Sequence, residues 1–419
     1  MEEELLPLPL IIKEDAIIKV IGVGGGGCNA VNYMHRQGIE GVTFLVCNTD
    51  KQALNKSSVP AKLQLGPGLG AGGDPEKAHS YAEESKDRIK EALDDGTQML
   101  FITAGMGGGT GTGASATVAE VAQSMDILTV GIVTIPFAFE GKRKIQKAIK
   151  GLDALSQHVD ALLVINNEKL KQIYPDLNLL NAFSKSDDVV CNAAKSIAEI
   201  ITVPGYINTD FADVRNTLKD GKVAIMNVGS ASGENRITNA IQNALQSPLI
   251  NSNDVRGAKR ILLQFYCSTE HAIIMQEIDQ INEFVKQVGE DVEVQWGASL
   301  DETLGETVRV TIIATGYEEV SIADPEQMTE EKKKPAQTDT ADQTVSNGHD
   351  ITAEGGQTDL GGNNQTGAAA QTTHSRPQGQ DVDDLVIIFD DNETDNTQPQ
   401  PAKMEPQPSR GGIFNWRRK

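Results

Sequence analysis

The chain has 419 residues, enough for two or three domains and a large core. Its formal charge of -22 argues against non-specific nucleic-acid binding, because a phosphate polyanion is repelled. The four cysteines, Cys28, Cys47, Cys191 and Cys267, form no CxxC pair and have no histidine at metal-ligand spacing, so they read as reduced, buried thiols of a cytoplasmic protein with no resident metal.

The opening "MEEELLPLPL" is acidic where a signal peptide would be basic, and residues 1–16 read as a flexible extension. No apolar run reaches the roughly 18 residues of a membrane span. A buried-strand run then extends from Ile17 to Val23, followed by Gly24 to Gly27, by Ala30 to Met34 at helical spacing, and by a strand from Val42 to Asp50. Such alternation implies a parallel sheet that binds nucleotide at the carboxyl ends of its strands. Gly22, Gly24 and Gly27 satisfy GxGxxG, and Asp50 falls where a dinucleotide enzyme places its ribose acid. On this stretch alone, an NAD-dependent oxidoreductase fits.

The next strand, Gln98–Gly105, leads into "TAGMGGGTGTGAS" (Thr103–Ser115), with six glycines between Gly105 and Gly113. Each glycine costs about 0.5–1 kcal/mol relative to alanine inside regular structure, so a run of them makes sense where the backbone itself is the ligand. Helix-compatible residues follow from Ala114 to Met125. Consecutive N–H groups can converge on one anion, a helix N-terminus adds partial positive charge, and Thr110 and Thr112 offer hydroxyl donors. The loop lacks the GKS or GKT of a P-loop. Two glycine loops on neighbouring strands without that lysine suit a mononucleotide triphosphate held mainly by backbone.

"GGGTGTG" (Gly107–Gly113) resembles the signature of the tubulin/FtsZ superfamily, and "VIGVGGGGCNAVN", "NTDKQAL", "GMGGGTGTGA", "PFAFEG", "NTDFADV" and "SASGENR" occur in that family's order between about Ile17 and Gly316. The resemblance implies an α/β fold: a Rossmann-like parallel-sheet GTPase domain over residues 17–178, a central helix over 179–203 and a smaller α+β activating domain over 204–317. It implies GTP/GDP as the bound nucleotide, with Mg²⁺ held largely by the phosphates. By the same resemblance Gly25, Gly26, Gly27, Cys28 and Asn29 line the phosphates, and Gly107, Gly108, Gly109, Thr110, Gly111 and Thr112 cradle the outer ones. Glu140, in "PFAFEGKRK", accepts from a ribose hydroxyl. Lys144 stands where the family usually has arginine, keeping the charge and losing the planar fork. Asn167 and Asp187 read the base and Phe183 offers a stacking surface. The chemistry agrees, since guanine's N1–H and N2–H₂ need an acceptor that adenine does not.

Phe183, Val190, Ala194, Ile197 and Ile201 lie at helical spacing and lead to "PGYINTDFADVRNTL". Taken alone, Asn208, Asp210 and Asp213 are favoured residues for a helix cap and first turn. The resemblance implies more: this acidic loop lies over the nucleotide of the next subunit and activates water there, in a head-to-tail filament of the bacterial division ring. Strands are expected near Val223–Val228, Arg260–Cys267, Asp291–Trp296 and Thr307–Thr315, with "EHAIIMQEIDQINEFVKQV" as a helix over them. A filament protein that binds GTP and hydrolyses it poorly is the alternative, and the presence of both Asp210 and Asp213 counts against it.

Residues 318–380 are rich in Thr, Gln, Asn, Asp and Gly and read as a disordered linker. Residues 381–419 carry two apolar islands, "DDLVIIFDD" and "GGIFNWRRK", which read as docking motifs on a tether. The resemblance favours membrane-tethering and regulatory division proteins as their partners over direct membrane contact. It places the protein in the cytoplasm, at mid-cell near the inner face of the membrane.

Overall fold

The computed structural model describes residues 16–246, 255, 257–289 and 291–317, so the N-terminal extension, the linker and both apolar tail motifs lie outside the described residues. The chain begins with a fully buried strand, β1 (Ile18–Val23), and enters helix α1 (Gly24–Gln37) without a connecting loop. The glycines read as a turn are thus the first turn of the helix. A first turn leaves its N–H groups without intrahelical partners, and here they open at a strand's carboxyl end. The helix closes on Gly38, whose φ of 67° places it in the left-handed region and whose N–H donates to the Met34 carbonyl.

Strand β2 (Val42–Asn48), helix α2 (Lys51–Lys56), strand β3 (Lys62–Gln64), helices α3 (Pro75–Glu83) and α4 (Lys86–Leu93), and strand β4 (Met99–Gly105) follow. Helix α5 (Thr110–Ser124) begins four residues before the expected Ala114, so the second half of the glycine signature is its first turn. Then come β5 (Leu128–Ile135), α6 (Lys142–Ser156), β6 (Ala161–Asn166), α7 (Asn167–Ile173) and the 24-residue α8 (Leu179–Thr202). The remainder is α9 (Phe211–Leu218), β7 (Lys222–Ala231), α10 (Arg236–Leu245), β8 (Arg260–Cys267), α11 (Met275–Val288), β9 (Glu293–Leu300) and β10 (Val308–Thr315).

The strands run in the order β3-β2-β1-β4-β5-β6-β7-β10-β8-β9. From β3 to β6 every pairing is parallel, as continuous apolar strands covered on both faces require. Strand β7 joins β6 through two rows only, Ala161↔Lys222 and Leu162↔Val223. Beyond it the sheet turns antiparallel through β7, β10 and β8, and β9 lies parallel to β8.

Two apolar clusters cover the parallel strands. One holds Ile21, Ile102, Val118 and Leu152; the other holds Val20, Phe101 and Leu163 with the buried face of α8. That face comprises Val190, Cys191, Ala194, Ile197, Ala198 and Ile200, and the same cluster reaches Leu262 and Ile313 in the antiparallel strands. Burying Val190, Ile197 and Ile200 is worth about 1.5–3 kcal/mol each, so α8 is anchored from Val190 to Ile200 in a cluster shared by both sets of strands. A third cluster, around Ile225, Ile237, Phe265 and Ile312, sits beneath α10 and α11. Among the described residues no helix is long and apolar enough to cross a membrane.

Candidate active site

A cleft opens at the carboxyl ends of β1, β4, β5 and β6. Thr103, Ala104 and Gly105 are among its lining residues, with Gly26, Asn29, Gly108, Glu140, Lys144, Asn167, Phe183 and Asp187 around them. These eight come from positions as far apart in the chain as Gly26 and Asp187, and the fold brings them to one place. Gly25, Gly27, Cys28, Gly107, Gly109, Thr110, Gly111 and Thr112 flank the cleft in sequence and are not among its lining residues.

Glycine serves two separable purposes here. Some positions are glycine because backbone lies against backbone: a Cβ on Gly27 would sit 2.2 Å from the Thr103 carbonyl oxygen, and one on Gly24 would sit 2.6 Å from the Gly111 nitrogen. The two glycine loops are therefore wedged into each other. At Gly25 and Gly108, by contrast, an added Cβ meets no protein atom within 4 Å. Neither needs a left-handed backbone, so the protein's own packing does not demand glycine at either place. Both places leave room for a ligand to approach the backbone, as an anion cradle at a helix N-terminus requires.

The hydroxyls of the signature loop are partly committed. Thr112 accepts from the Gly107 N–H at 2.9 Å and braces the loop, and Thr110 lies 2.7 Å from the Thr49 hydroxyl. Cys28 turns into the core, its thiol donating to the Gly22 and Cys47 carbonyls, and burial pushes that thiol up to about 12. Any contact Cys28 makes with an anion is through its backbone N–H.

On the far wall two neighbouring carboxylates have opposite surroundings. Asp188 is paired, 2.8 Å from Lys185 Nζ and 3.1 Å from the Tyr33 hydroxyl. Asp187 has no hydrogen-bonded partner among the described residues, and burial raises its carboxyl to about 7, with Arg36 opposing. A half-buried acceptor without a donor keeps hydrogen-bonding capacity that a ligand bringing N–H groups can meet. Opposite it, Ser186 donates to Asn167 Oδ1 at 2.8 Å, which commits that oxygen and leaves the amide's NH₂ for a ligand acceptor. Acceptor and donor together fit the Watson–Crick edge of guanine. Glu140 accepts from the Phe137 N–H and pairs with Lys144 at 2.9 Å, while Phe183 meets Phe137 edge-on at 5.3 Å.

Asn208, Asp210 and Asp213 do not line this cleft. Asp210 caps α9 in a reciprocal box: its Oδ1 accepts from the Asp213 N–H and Asp213 Oδ2 accepts from the Asp210 N–H, both at 3.0 Å. Capping uses one oxygen of each carboxylate. Asn208 folds its side-chain oxygen onto the Gly205 N–H at 2.6 Å. Between two exposed polar neighbours, Thr209 is buried and donates to Gln264, and Ile207 exchanges two backbone hydrogen bonds with Ala298 of β9. The loop is pinned from behind and presents its acids outward. Asp50 is likewise a cap, accepting from the N–H groups of Gln52 and Ala53 at the start of α2.

The sequence reading passed over Gly66–Gly73, "GPGLGAGG", although five glycines in eight residues was an available signal. This segment packs on the signature loop: a Cβ on Gly109 would meet the Asp74 nitrogen at 2.9 Å, one on Gly113 would meet the Pro75 carbonyl oxygen at 2.0 Å, and Lys147 holds the Gly73 carbonyl at 2.6 Å. Ser186 was also passed over, and nothing in its local sequence marks it. Among the described residues no cluster of three or more acidic, histidine or cysteine side chains could hold a metal ion.

Residues 17–175 match the family model of the GTPase domain of the Tubulin/FtsZ family, and residues 222–318 match that of the FtsZ family C-terminal domain. The cell division protein FtsZ of Porphyromonas gingivalis is 50% identical over 324 residues, covering 76% of this chain and 71% of that protein. That of Pseudomonas aeruginosa is 45% identical over 311 residues, covering 73% and 78%. Among solved structures, an empty FtsZ dimer from M. jannaschii is 40% identical with a TM-score of 0.65, covering 72% of this chain and 88% of that one. These matches leave no room for the dinucleotide oxidoreductase that GxGxxG and Asp50 suggested. The chain belongs to the FtsZ family and is a GTP-binding, GTP-hydrolysing, filament-forming cell-division protein.

Proposed function

We propose that the cleft holds GTP with its phosphates on the α1 and α5 N-termini, its base against Asp187 and Asn167, and that hydrolysis is completed by Asp210 and Asp213 of a neighbouring subunit. The observation that carries this reading is the separation of parts. The cleft has backbone donors and a base-reading wall, yet among the described residues the unpaired carboxyl lining it, Asp187, sits beside Asn167 and Phe183 on that wall. The two acids able to orient water, exposed Asp210 and half-buried Asp213 in the first turn of α9, stand instead elsewhere in the chain. Phosphoryl transfer needs little beyond charge stabilisation and a positioned nucleophile. A head-to-tail contact that lays the acidic loop over the next cleft supplies the second requirement and propagates as a filament.

Large exposed side chains on the rims of both parts support such a contact: Leu69 and Phe139 near the cleft, Tyr206 and Ile207 beside the acidic loop. In this reading Lys144 with Glu140 holds the ribose, and Asn208 orders the acidic loop. Among the described residues no cluster of three acidic, histidine or cysteine side chains offers a cage for a cation, so Mg²⁺ would be held largely by the phosphates, where it would supply neutralising charge. The folded part divides into a nucleotide domain over residues 17–178, a central helix over 179–203 and an activating domain over 204–317, in keeping with the two-row joint between β6 and β7. Residues 381–419 dock membrane-tethering and regulatory division proteins through a linker over 318–380, and the chain works in the cytoplasm at the mid-cell membrane.

Phosphate release from GTP, with ATP as control, measured across a range of protein concentrations tests the shared site. Specific activity near zero below a threshold and rising above it is the expected result. A per-molecule rate independent of concentration would overturn completion in trans, and bound but uncleaved GTP would favour the non-hydrolysing filament.

A further inference from the structure

Helix α5 starts at the glycine signature and ends near Asp126, 15 residues and about 22 Å away. Asp126 has a φ of 52°, the left-handed conformation that commonly follows a helix C-cap and that aspartate tolerates. Its carboxylate is not idle. Oδ2 lies 2.9 Å from Arg215 Nη2 and Oδ1 lies 2.9 Å from Lys219 Nζ. Arg215 lies within α9 and Lys219 caps its C-terminus, four residues on, so both project from one face of the helix that Asp210 and Asp213 begin. These two cations hold the Asp126 carboxyl well below the usual carboxylate range.

The other sides of α9 are tied to different elements. Val214 and Leu218 are fully buried in the core. Arg260 of β8 donates to the Asn216 and Lys219 carbonyls, and the Thr315 hydroxyl of β10 donates to the Thr217 carbonyl. All those polar ties come from the antiparallel strands. The Asp126 pair is the charged tie from the parallel sheet. The left-handed φ ends α5 in a common way, and the side chain at that turn reaches two cations of a single helix.

We propose that Asp126 is a positioning residue for GTP hydrolysis: it fixes α9, and with it the acidic loop, to the far end of the helix whose first turn cradles the phosphates. The proposal rests on Asp210 and Asp213 acting on a neighbour's nucleotide. An exposed ion pair contributes little to stability, so its removal should leave the fold intact. A displacement of the order of 1 Å at a reacting group can cost a hundredfold in rate. With α9 still held by Arg260 and Thr315, the expected loss is on the order of tenfold.

The experiment uses the full chain with Asp126→Asn, which tolerates the same φ without the charge, and Asp126→Gly, which also relieves the backbone. Turnover per assembled subunit should fall about tenfold in both, with the KM for GTP and the assembly threshold within twofold of the parent. Asp126→Gly should melt no lower than the parent. Asp126→Asn is then mixed with Asp210→Asn in copolymers. If Asp126 acts through its own subunit's acidic loop, every interface carries a defective loop and mixing restores nothing. Parental turnover in both single variants overturns the proposal. So does restored turnover in the mixture, which would place the defect in the variant's own cleft. Undiminished turnover in Asp210→Asn alone would instead sink the shared-site reading beneath it.

Discussion

At the cleft this protein presents backbone; at the acidic loop it presents side chains. Gly25 and Gly108 face open space, which leaves room for a ligand over the peptide N–H groups. Asn208 and Asp210 stand exposed around a buried Thr209 that holds their loop to Gln264. Backbone donors suit fixed negative charge on phosphate, because they are positive and never titrate. Carboxylates suit a water molecule that must be polarised. The difference between the two surfaces is what the proposed division of labour between neighbouring subunits rests on.

The sharpest way to break that division is Asp210→Asn. Asparagine is as good an N-cap as aspartate, so α9 and GTP binding should be preserved while turnover falls about 10²–10³-fold. Binding by a fluorescent nucleotide and phosphate release, measured on one preparation, check it. Loss of nucleotide affinity would mean that the two halves are not separate. Next in size is Asp187→Asn. It replaces an acceptor with a donor opposite guanine N2–H₂ and should weaken GTP by about a hundredfold. Xanthosine triphosphate, which carries a carbonyl at that position, should bind the variant better than GTP does.

Two glycines separate ligand space from packing space. Gly108→Ala should fold as the parent does and lose about tenfold in nucleotide affinity, each tenfold being about 1.4 kcal/mol. Gly113→Ala must push against the Pro75 carbonyl and should lose about 1–3 kcal/mol of folding stability by denaturant titration.

A comparable effect is expected from pH. The Asp187 carboxyl sits at about 7 in the nucleotide-free protein, raised by burial, and guanine needs it ionised. Guanosine affinity should therefore rise about tenfold between pH 6 and 8. Using the nucleoside avoids phosphate titration, and Asp187→Asn should abolish the slope. Stability of the free protein runs the other way. A raised carboxyl binds its proton more tightly folded than unfolded, so this group's contribution is lost as pH climbs from the ordinary carboxylate range through about 7. The smallest effect is Lys144→Arg. The lysine already pairs with Glu140 at the rim, and a fork in its place should move GTP affinity by about threefold or less.

Much of this site was legible because its chemistry is written in runs. A glycine loop after a strand carries its reason locally, and so does an aspartate placed to cap a helix. Asp210 shows the limit of such reading: the cap predicted from Asp and Asn preferences is present, and capping alone says nothing of a second use for the free oxygen. What could not be read was pairwise. Ser186 matters only because Asn167, 19 residues earlier, comes within 2.8 Å of it. Asp126 looks like any polar turn residue until its left-handed φ and its two partners from α9 are seen together. The strand runs were visible, yet the order β7-β10-β8-β9 depends on long-range pairing that no local pattern encodes.

The joint between β6 and β7 has a mechanical consequence. β1 meets β2 over six residue pairs, whereas β6 meets β7 over two. A sheet under load yields along its narrowest ladder, so tension or bending carried along a filament will concentrate at that line. What resists it there is mostly the apolar flank of α8, which packs against strands on both sides. Packed side chains slide and recover where hydrogen-bonded ladders part abruptly. The narrowest hydrogen-bonded ladder of the sheet is thus bridged by packed side chains, and it is the line along which a bend within a subunit would cost fewest hydrogen bonds.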